Sequence, residues 1–144
     1  MRGWERRFWQ GSPDHRGVPD APGRVVTLVA AVKFCGGCAY RIDPYGAGAI
    51  LDALDAREQA GFERTTVELF DTAEGSTFGS AITWIANERN AHFLGPIPDA
   101  EIAAEIRARR GPSGPNAEYV LRLRDALRAL EIVDEHVETI ASLL

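Results

Sequence analysis

The chain has 144 residues, with 16 Lys or Arg against 21 Asp or Glu and a formal net charge of −5. This balance leaves no basic excess to neutralise a phosphate backbone, which argues against nucleic-acid binding. Its longest early apolar run, VVTLVAAV, is far shorter than the roughly twenty residues of a spanning helix, and no secretory segment is visible. We therefore expect a cytoplasmic protein of one domain, residues 1–144, without membrane association. No sequence feature indicates an oligomeric state.

The first part of the chain predicts two strands after an irregular start. Residues 1–24 combine charges, Pro, Gly and large aromatic side chains without a helical or strand period, so we expect irregular structure there. RVVTLVAAV (24–32) and CAYRID (38–43) are typical of strands. The short Gly-containing connection between them would allow a hairpin.

The segment PYGAGAILDALDAREQAGF (44–62) predicts a helix. Ala47, Leu51 and Leu54 recur at spacings of four and three, which marks one apolar helix face. Gly61 supplies the signal that ends the helix.

One turn after Leu54, the apolar face of this helix carries the carboxylate of Glu58. Burial raises the pKa of a carboxyl group toward the range in which a general base works best, so a carboxylate in this position is a candidate base. Two ordinary alternatives stay open. Glu58 would be unremarkable at a solvated helix end near Gly61, or in an ion pair with Arg57 or Arg64.

The second half of the chain runs from strands to helices. ERTTVELF (63–70) alternates, and TFGSAITWIA (77–86) predicts a second strand beyond a turn at Glu74-Gly75. NERNAHFLGPIP (87–98) predicts a loop. Because strands with one embedded helix are followed by helices, the order indicates an α+β class rather than a doubly wound sheet.

Three helices complete the prediction. Pro98 precedes a helix over Asp99–Arg110, which Gly111-Pro112 ends, and Asn116 is predicted to cap a longer helix. The apolar stripes of the last two helices are Val120, Leu123, Leu127 and Leu130 in one, and Val137, Ile140, Ala141 and Leu144 in the other.

The only cysteines, Cys35 and Cys38, form a C-x-x-C pair. Such a pair can be a redox site or half of a zinc site. A redox pair of the thioredoxin type usually opens a helix, whereas this pair runs into a predicted strand. Since the three histidines are isolated and lack ligand spacing, we interpret the cysteines as ordinary reduced thiols and predict no metal.

Two further motifs carry weak functional signals. Asp14 beside His15 would suit acid–base chemistry or a metal, but adjacent polar residues in a loop are more often turn formers. GPSGPN (111–116) is rich in Gly but lacks the Lys-Ser/Thr of a phosphate loop, which argues against nucleotide binding.

Several segments together resemble the ChaC-like family of glutathione-specific γ-glutamylcyclotransferases, from Arg6 to about Val137. They are, in order, RRFWQGSPDHRGVPDAPGRVVTLV, AYRI, LDAREQAGFER, FLGPIP and GPSGPNAEYVLRL. The resemblance implies a small mixed β-barrel with packed helices. It also implies cleavage of glutathione into 5-oxoproline and cysteinylglycine without a metal or organic cofactor.

The resemblance assigns roles to particular residues. The catalytic Glu of the family lies in a segment that reads DAREQAGF here, so the matching residue is Glu58. In the mechanism that the resemblance implies, this Glu acts as the general acid and base. The residues implied in substrate binding are Gln10, Gly11, Ser12, Asp14, His15, Arg16 and Tyr119. For Tyr119, an ordinary half-buried helix position is the alternative.

The sequence also departs from the family pattern. It lacks the YGSL strand and loop that bind the γ-glutamyl group in the family, so the domain is predicted to be N-terminally truncated. Gly36 stands where the family has Trp, and Glu131 replaces a helix-ending Gly and is expected to prolong that helix. The alternative to an active enzyme is therefore a degenerate member that binds γ-glutamyl compounds or serves as an interaction module.

Overall fold

A computed structural model describes residues 1–58, 60–71 and 74–144 of the chain. The strands are β1 (Arg2–Ser12), β2 (Gly23–Phe34), β3 (Glu63–Phe70), β4 (Thr77–Ile85), β5 (Arg110–Gly111) and β6 (Gly114–Pro115). The helices are α1 (Ala47–Arg57), α2 (Asp99–Ala108), α3 (Asn116–Ala129) and α4 (Glu135–Ser142). This mixture and order confirm the predicted α+β class. The strands pair as three antiparallel two-stranded ladders, which do not by themselves show a closed barrel.

The β1–β2 ladder corrects the expectation for the start of the chain. Residues 2–12 are a strand rather than irregular, and they pair with 23–34, from Arg2 opposite Phe34 to Ser12 opposite Gly23. Because β1 is stabilised by a partner strand elsewhere in the sequence, its own residues need not show an alternating pattern that would predict a strand. The predicted strand over 38–43 is wrong: these residues have no regular structure, because β1 instead of 38–43 forms the ladder with β2.

The β3–β4 hairpin confirms the alternating pattern of its sequence. β3 pairs with β4 from Glu63 opposite Ile85 to Phe70 opposite Thr77. Val67 is buried while its neighbours Thr66 and Glu68 are exposed. The loop predicted over 87–98 is also present, without a named strand or helix.

The core lies between β1 and the three C-terminal helices. Phe8 of β1 is fully buried there. The other members of the core cluster are Ile102, Ile106, Val120, Leu127, Val137, Ile140 and Ala141. Burying side chains of this size contributes roughly 1.5–3 kcal/mol each, so this cluster is the main source of stability.

Three helix-end predictions need correction. α2 ends at Ala108, two residues early, because Arg110–Gly111 pairs with Gly114–Pro115. Asn116 does not cap α3, since Pro115 is in the N-cap position and the Asn116 side chain bonds the backbone of Arg24 instead. Glu131 does not prolong α3: it takes a left-handed φ of 58°, the conformation for which Gly is usually selected.

Gly36 is closely packed. A Cβ atom on Gly36 would lie 3.0 Å from the Ile132 side chain, so Ile132 occupies space beside it.

No helix among the described residues is long and apolar enough to cross a membrane.

Candidate functional site

Glu58 stands at the C-cap of α1, where its backbone N–H donates to the Leu54 carbonyl at 2.8 Å. Its side chain is 28% exposed, and its Oε1 accepts two hydrogen bonds from the Arg57 guanidinium, from Nε at 3.1 Å and Nη2 at 2.7 Å. α1 has no fully buried residue, so Glu58 is not sealed in a core. The carboxylate is thus half-buried at a helix end and ion-paired, as both ordinary alternatives anticipated, and it remains accessible to a small molecule.

The last turn of α1 is attached to the β3–β4 hairpin through Asp55. Arg64 of β3 donates to both oxygens of the Asp55 carboxylate, and Trp84 Nε1 of β4 donates to Oδ1 at 2.7 Å. The Arg64 and Trp84 hydrogen bonds hold the pKa of Asp55 below its usual value. This contact fixes the helix end one turn before Glu58.

On the other side of Glu58, the chain makes a left-handed turn that Asn90 contacts. Ala60 and Gly61 have φ values of 63° and 80°. Asn90 Nδ2 donates to the Ala60 carbonyl at 2.7 Å, and Asn90 Oδ1 accepts from the His92 N–H at 2.8 Å. Gln59, between Glu58 and Ala60, lies outside the described residues.

Gln10 and Gly11 connect this turn to β1. Gln10 is fully buried, and its Nε2 donates to Asn90 Oδ1 at 3.4 Å and to the Gly11 carbonyl at 3.2 Å. The Gly11 N–H donates to the His92 carbonyl at 2.8 Å. A Cβ atom at Gly11 would lie 2.9 Å from that carbonyl oxygen, so the position requires Gly. Within the described part of the chain, Gln10 Oε1 is a buried acceptor without a hydrogen-bond partner.

The loop after Gln10 divides into an inner and an outer part. Ser12 is buried, and its Oγ accepts from the Arg16 N–H at 3.1 Å. Asp14 and His15 pair with each other at 3.0 Å, but their side chains are 46% and 59% exposed. Burial would raise the pKa of Asp14, but the stronger combined effect of the His15 contacts holds it below its usual value. The pair therefore lies at the exposed edge of the loop.

Arg16 brings the same loop onto Tyr119 of α3. The Arg16 guanidinium lies over the Tyr119 ring, 5.7 Å from its centroid, and Arg16 Nη1 donates to the Pro115 carbonyl at 3.2 Å. The Tyr119 hydroxyl accepts from the Val26 N–H at 3.3 Å. Burial raises the pKa of Tyr119, against the hydrogen bond from Val26 and the charges of Arg6 and Arg16, which lower it; the charge of Glu58 makes the last and smallest contribution, upward.

The structure links several of these residues by contacts. Arg16 lies over the Tyr119 ring, and Gln10 reaches the turn after Glu58 through Asn90. Asp14 and His15 lie at the exposed edge. Sequence reasoning missed Asn90, since an Asn in a polar loop carries no periodic signal. Within the described residues, no group of three or more His, Cys, Asp or Glu side chains is placed to hold a metal ion.

The two thiols lie away from these contacts. Cys35 is buried and Cys38 exposed, and both are free. Burial raises the pKa of Cys35, against the opposing charge of Arg6.

The fold is that of a γ-glutamylcyclotransferase. It matches a crystal structure of a glutathione-specific γ-glutamylcyclotransferase from yeast with a TM-score of 0.80 and 26% identity, over 99% of this chain and 85% of that one. The model of the ChaC-like protein family matches residues 1–144. The chain belongs to the ChaC-like family.

Named relatives support the same assignment. γ-Glutamylcyclotransferase 2-3 of Arabidopsis thaliana is 38% identical over 99% of this chain and 75% of that protein. Glutathione-specific γ-glutamylcyclotransferase 1 of Rattus norvegicus is 38% identical over 97% of this chain. The match spans 65% of the length of the rat protein.

Proposed function

We propose that this chain is a cytoplasmic, single-domain glutathione-specific γ-glutamylcyclotransferase that converts glutathione to 5-oxoproline and cysteinylglycine. The observation that carries the proposal is the position of Glu58. It lies in the DAREQAGF segment of a ChaC-like chain, at a half-buried helix end, and Asn90 joins the turn that follows it to Gln10 at the start of the QGSPDHRG loop. The names of relatives with the same fold support glutathione as the substrate.

The chemistry needs one general acid and base. Glu58 takes a proton from the α-ammonium of the γ-glutamyl group, and the free amine attacks the γ-carbonyl carbon of the same group. A five-membered ring forms, and the C–N bond to the cysteinyl residue breaks. Glu58 gives its proton to the departing nitrogen as that bond breaks. The carboxylate then takes the second proton from the ring nitrogen and passes it to the released α-amine of cysteinylglycine, so the enzyme ends unchanged. Because both reacting groups belong to one substrate, holding it bent supplies much of the rate enhancement.

The surrounding residues suit a zwitterionic substrate. Gln10 Oε1 is a buried acceptor without a partner among the described residues, and a substrate N–H would reach it only after the Gln10 side chain turned toward the surface. Arg16 lies beside the Tyr119 ring and pairs with Glu118 at 3.5 Å, and a substrate carboxylate would replace Glu118 as its partner. We assign Gly11 and Ser12 to shaping the inner loop, and Asp14 and His15 to its outer edge.

A second candidate function is binding of γ-glutamyl compounds without turnover. The observation that favours it is the Arg57 guanidinium, which occupies Glu58 Oε1 with two hydrogen bonds. A base so engaged would need to leave that pair before it could take a proton from the substrate.

The test is to incubate the purified chain with glutathione and measure 5-oxoproline and cysteinylglycine together. Turnover predicts equal amounts of both products. Glu58→Gln should lose product release. Glu68→Gln is its matched control, since it makes the same chemical change at an exposed position of β3. Binding of glutathione by calorimetry, without product from a folded chain, would support the second function instead.

A further inference from the structure

The turn that follows Glu58 contains two consecutive left-handed residues. Gly61 adopts such a conformation readily, but Ala60, with φ 63°, pays a steric cost that most residues avoid. A turn of this kind persists when neighbouring groups hold it. The question is which group in this structure does so.

Asn90 is that group. Its Nδ2 donates to the Ala60 carbonyl at 2.7 Å. It also lies close to Gly61, because a Cβ atom added there would be 2.6 Å from Asn90 Nδ2. Asn90 therefore fixes both left-handed residues.

The Asn90 side chain is itself held in one orientation. Its Oδ1 accepts from the His92 N–H at 2.8 Å and from Gln10 Nε2 at 3.4 Å, so the amide cannot rotate without losing both contacts. Its backbone N–H donates to the Asn87 carbonyl at 3.0 Å, and its carbonyl accepts from the Phe93 N–H at 3.0 Å. The amide thus joins the turn after Glu58 to the buried end of β1.

We propose that Asn90 is a positioning residue that sets the Glu58 carboxylate relative to the Gln10–Arg16 loop. The inference rests on the proposed function. Ala60 lies just after the base, Glu58, and Gln10 begins the loop that we assign to the substrate. The Asn90 amide hydrogen-bonds to both Ala60 and Gln10. The Asp55 contacts hold the chain before Glu58 and the Asn90 contact holds the turn after it, so Asn90 supplies one of the two attachments that place this carboxylate.

The experiment compares Asn90→Ala with Asn87→Ala. Asn87 lies in the same loop, and its side chain bonds Glu63 and the Arg89 N–H at solvent-exposed positions, so it controls for loop disturbance. For Asn90→Ala we expect kcat for 5-oxoproline release to fall on the order of 100-fold, with KM changed much less, because a small misplacement of a catalytic group costs about that much. Asn87→Ala is expected to stay close to the parent chain.

A second variant separates positioning from packing. Asn90→Asp keeps the size and the acceptor for His92 but loses the donor to the Ala60 carbonyl, so it should also lose kcat. This variant also serves if Asn90→Ala fails to fold. A kcat for a folded Asn90→Asp or Asn90→Ala variant close to that of the parent chain would overturn the proposal.

A readout independent of catalysis completes the test. Amide hydrogen exchange across residues 58–62 should accelerate roughly tenfold in Asn90→Ala, and not in Asn87→Ala, because a hydrogen bond that holds the turn is lost. If the parent chain releases no 5-oxoproline, the proposed function fails while exchange still decides the role of Asn90. Unchanged amide exchange across residues 58–62 in Asn90→Ala would overturn the positioning role of Asn90.

Discussion

Replacing Asn116 by Ala should destabilise the fold more than its polar chemistry suggests. The Asn116 side chain is fully buried at the start of α3. It hydrogen-bonds to both the N–H and the carbonyl of Arg24, as the backbone of a neighbouring strand would. Its Oδ1 accepts from the Arg24 N–H at 2.6 Å, and its Nδ2 donates to the Arg24 carbonyl at 2.8 Å. In Asn116→Ala, both buried backbone groups of Arg24 lose these partners.

The magnitude follows from the two groups left behind. A buried donor or acceptor without a partner costs about 1–3 kcal/mol, so Asn116→Ala should lose about 2–6 kcal/mol of unfolding free energy. That is a large part of the 5–15 kcal/mol or so that keeps a typical domain folded. At roughly 2–4 °C per kcal/mol, the midpoint of thermal unfolding should fall by about 4–24 °C.

The assay is urea unfolding followed by circular dichroism, with Asn87→Ala as the control. The side-chain hydrogen bonds of Asn87 are exposed to water, so its replacement should cost well under about 1 kcal/mol. Equal losses in the two variants would refute the reasoning, because they would show that burial of the Arg24 backbone carries no special penalty.

Two further predictions concern stability. Burial lowers the pKa of His136 below 6.5, and its Nε2 accepts from the Phe8 N–H, so the unfolded chain takes up the proton first as the pH falls. The unfolding free energy should therefore decrease as the pH falls below about 6.5. In urea titrations, His136→Gln should show a weaker dependence of unfolding free energy on pH. An equal dependence in both proteins would contradict this. Glu131 has a φ of 58°, so Glu131→Gly should raise the unfolding free energy by roughly 0.5–1 kcal/mol in the same assay, and a loss would contradict the strain argument.

Local patterns predicted the elements whose stability is local or amphipathic. The hairpin over 63–85 and the helix from Asp99 follow period-2 and period-3.6 patterns, and the structure places them within two residues of the predicted ends. β1 was missed because its partner lies some twenty residues away and its sequence reads as loop. The strand over 38–43 was wrongly predicted because strand composition does not create a ladder partner.

In the candidate site, too, residues with a local sequence signal could be predicted and residues with distant partners could not. Glu58 stands out from its sequence as a polar break in an apolar face, although the structure places it at a half-exposed helix end. Asn116 looked like a helix cap, but its side chain bonds Arg24, which is 92 positions away in sequence. The role of Asn90 depends on the φ of Ala60, which no local pattern reveals. Residues whose partners are distant in sequence need the fold before their roles can be assigned.

The most direct test of the central claim is the rate of 5-oxoproline release from glutathione by this chain and by Glu58→Gln. Loss of a general acid and base typically costs about 10²–10⁴-fold, and we predict a fall in kcat of that order with the fold intact. Release at the same rate by Glu58→Gln would contradict the assignment of the catalytic proton transfers to Glu58.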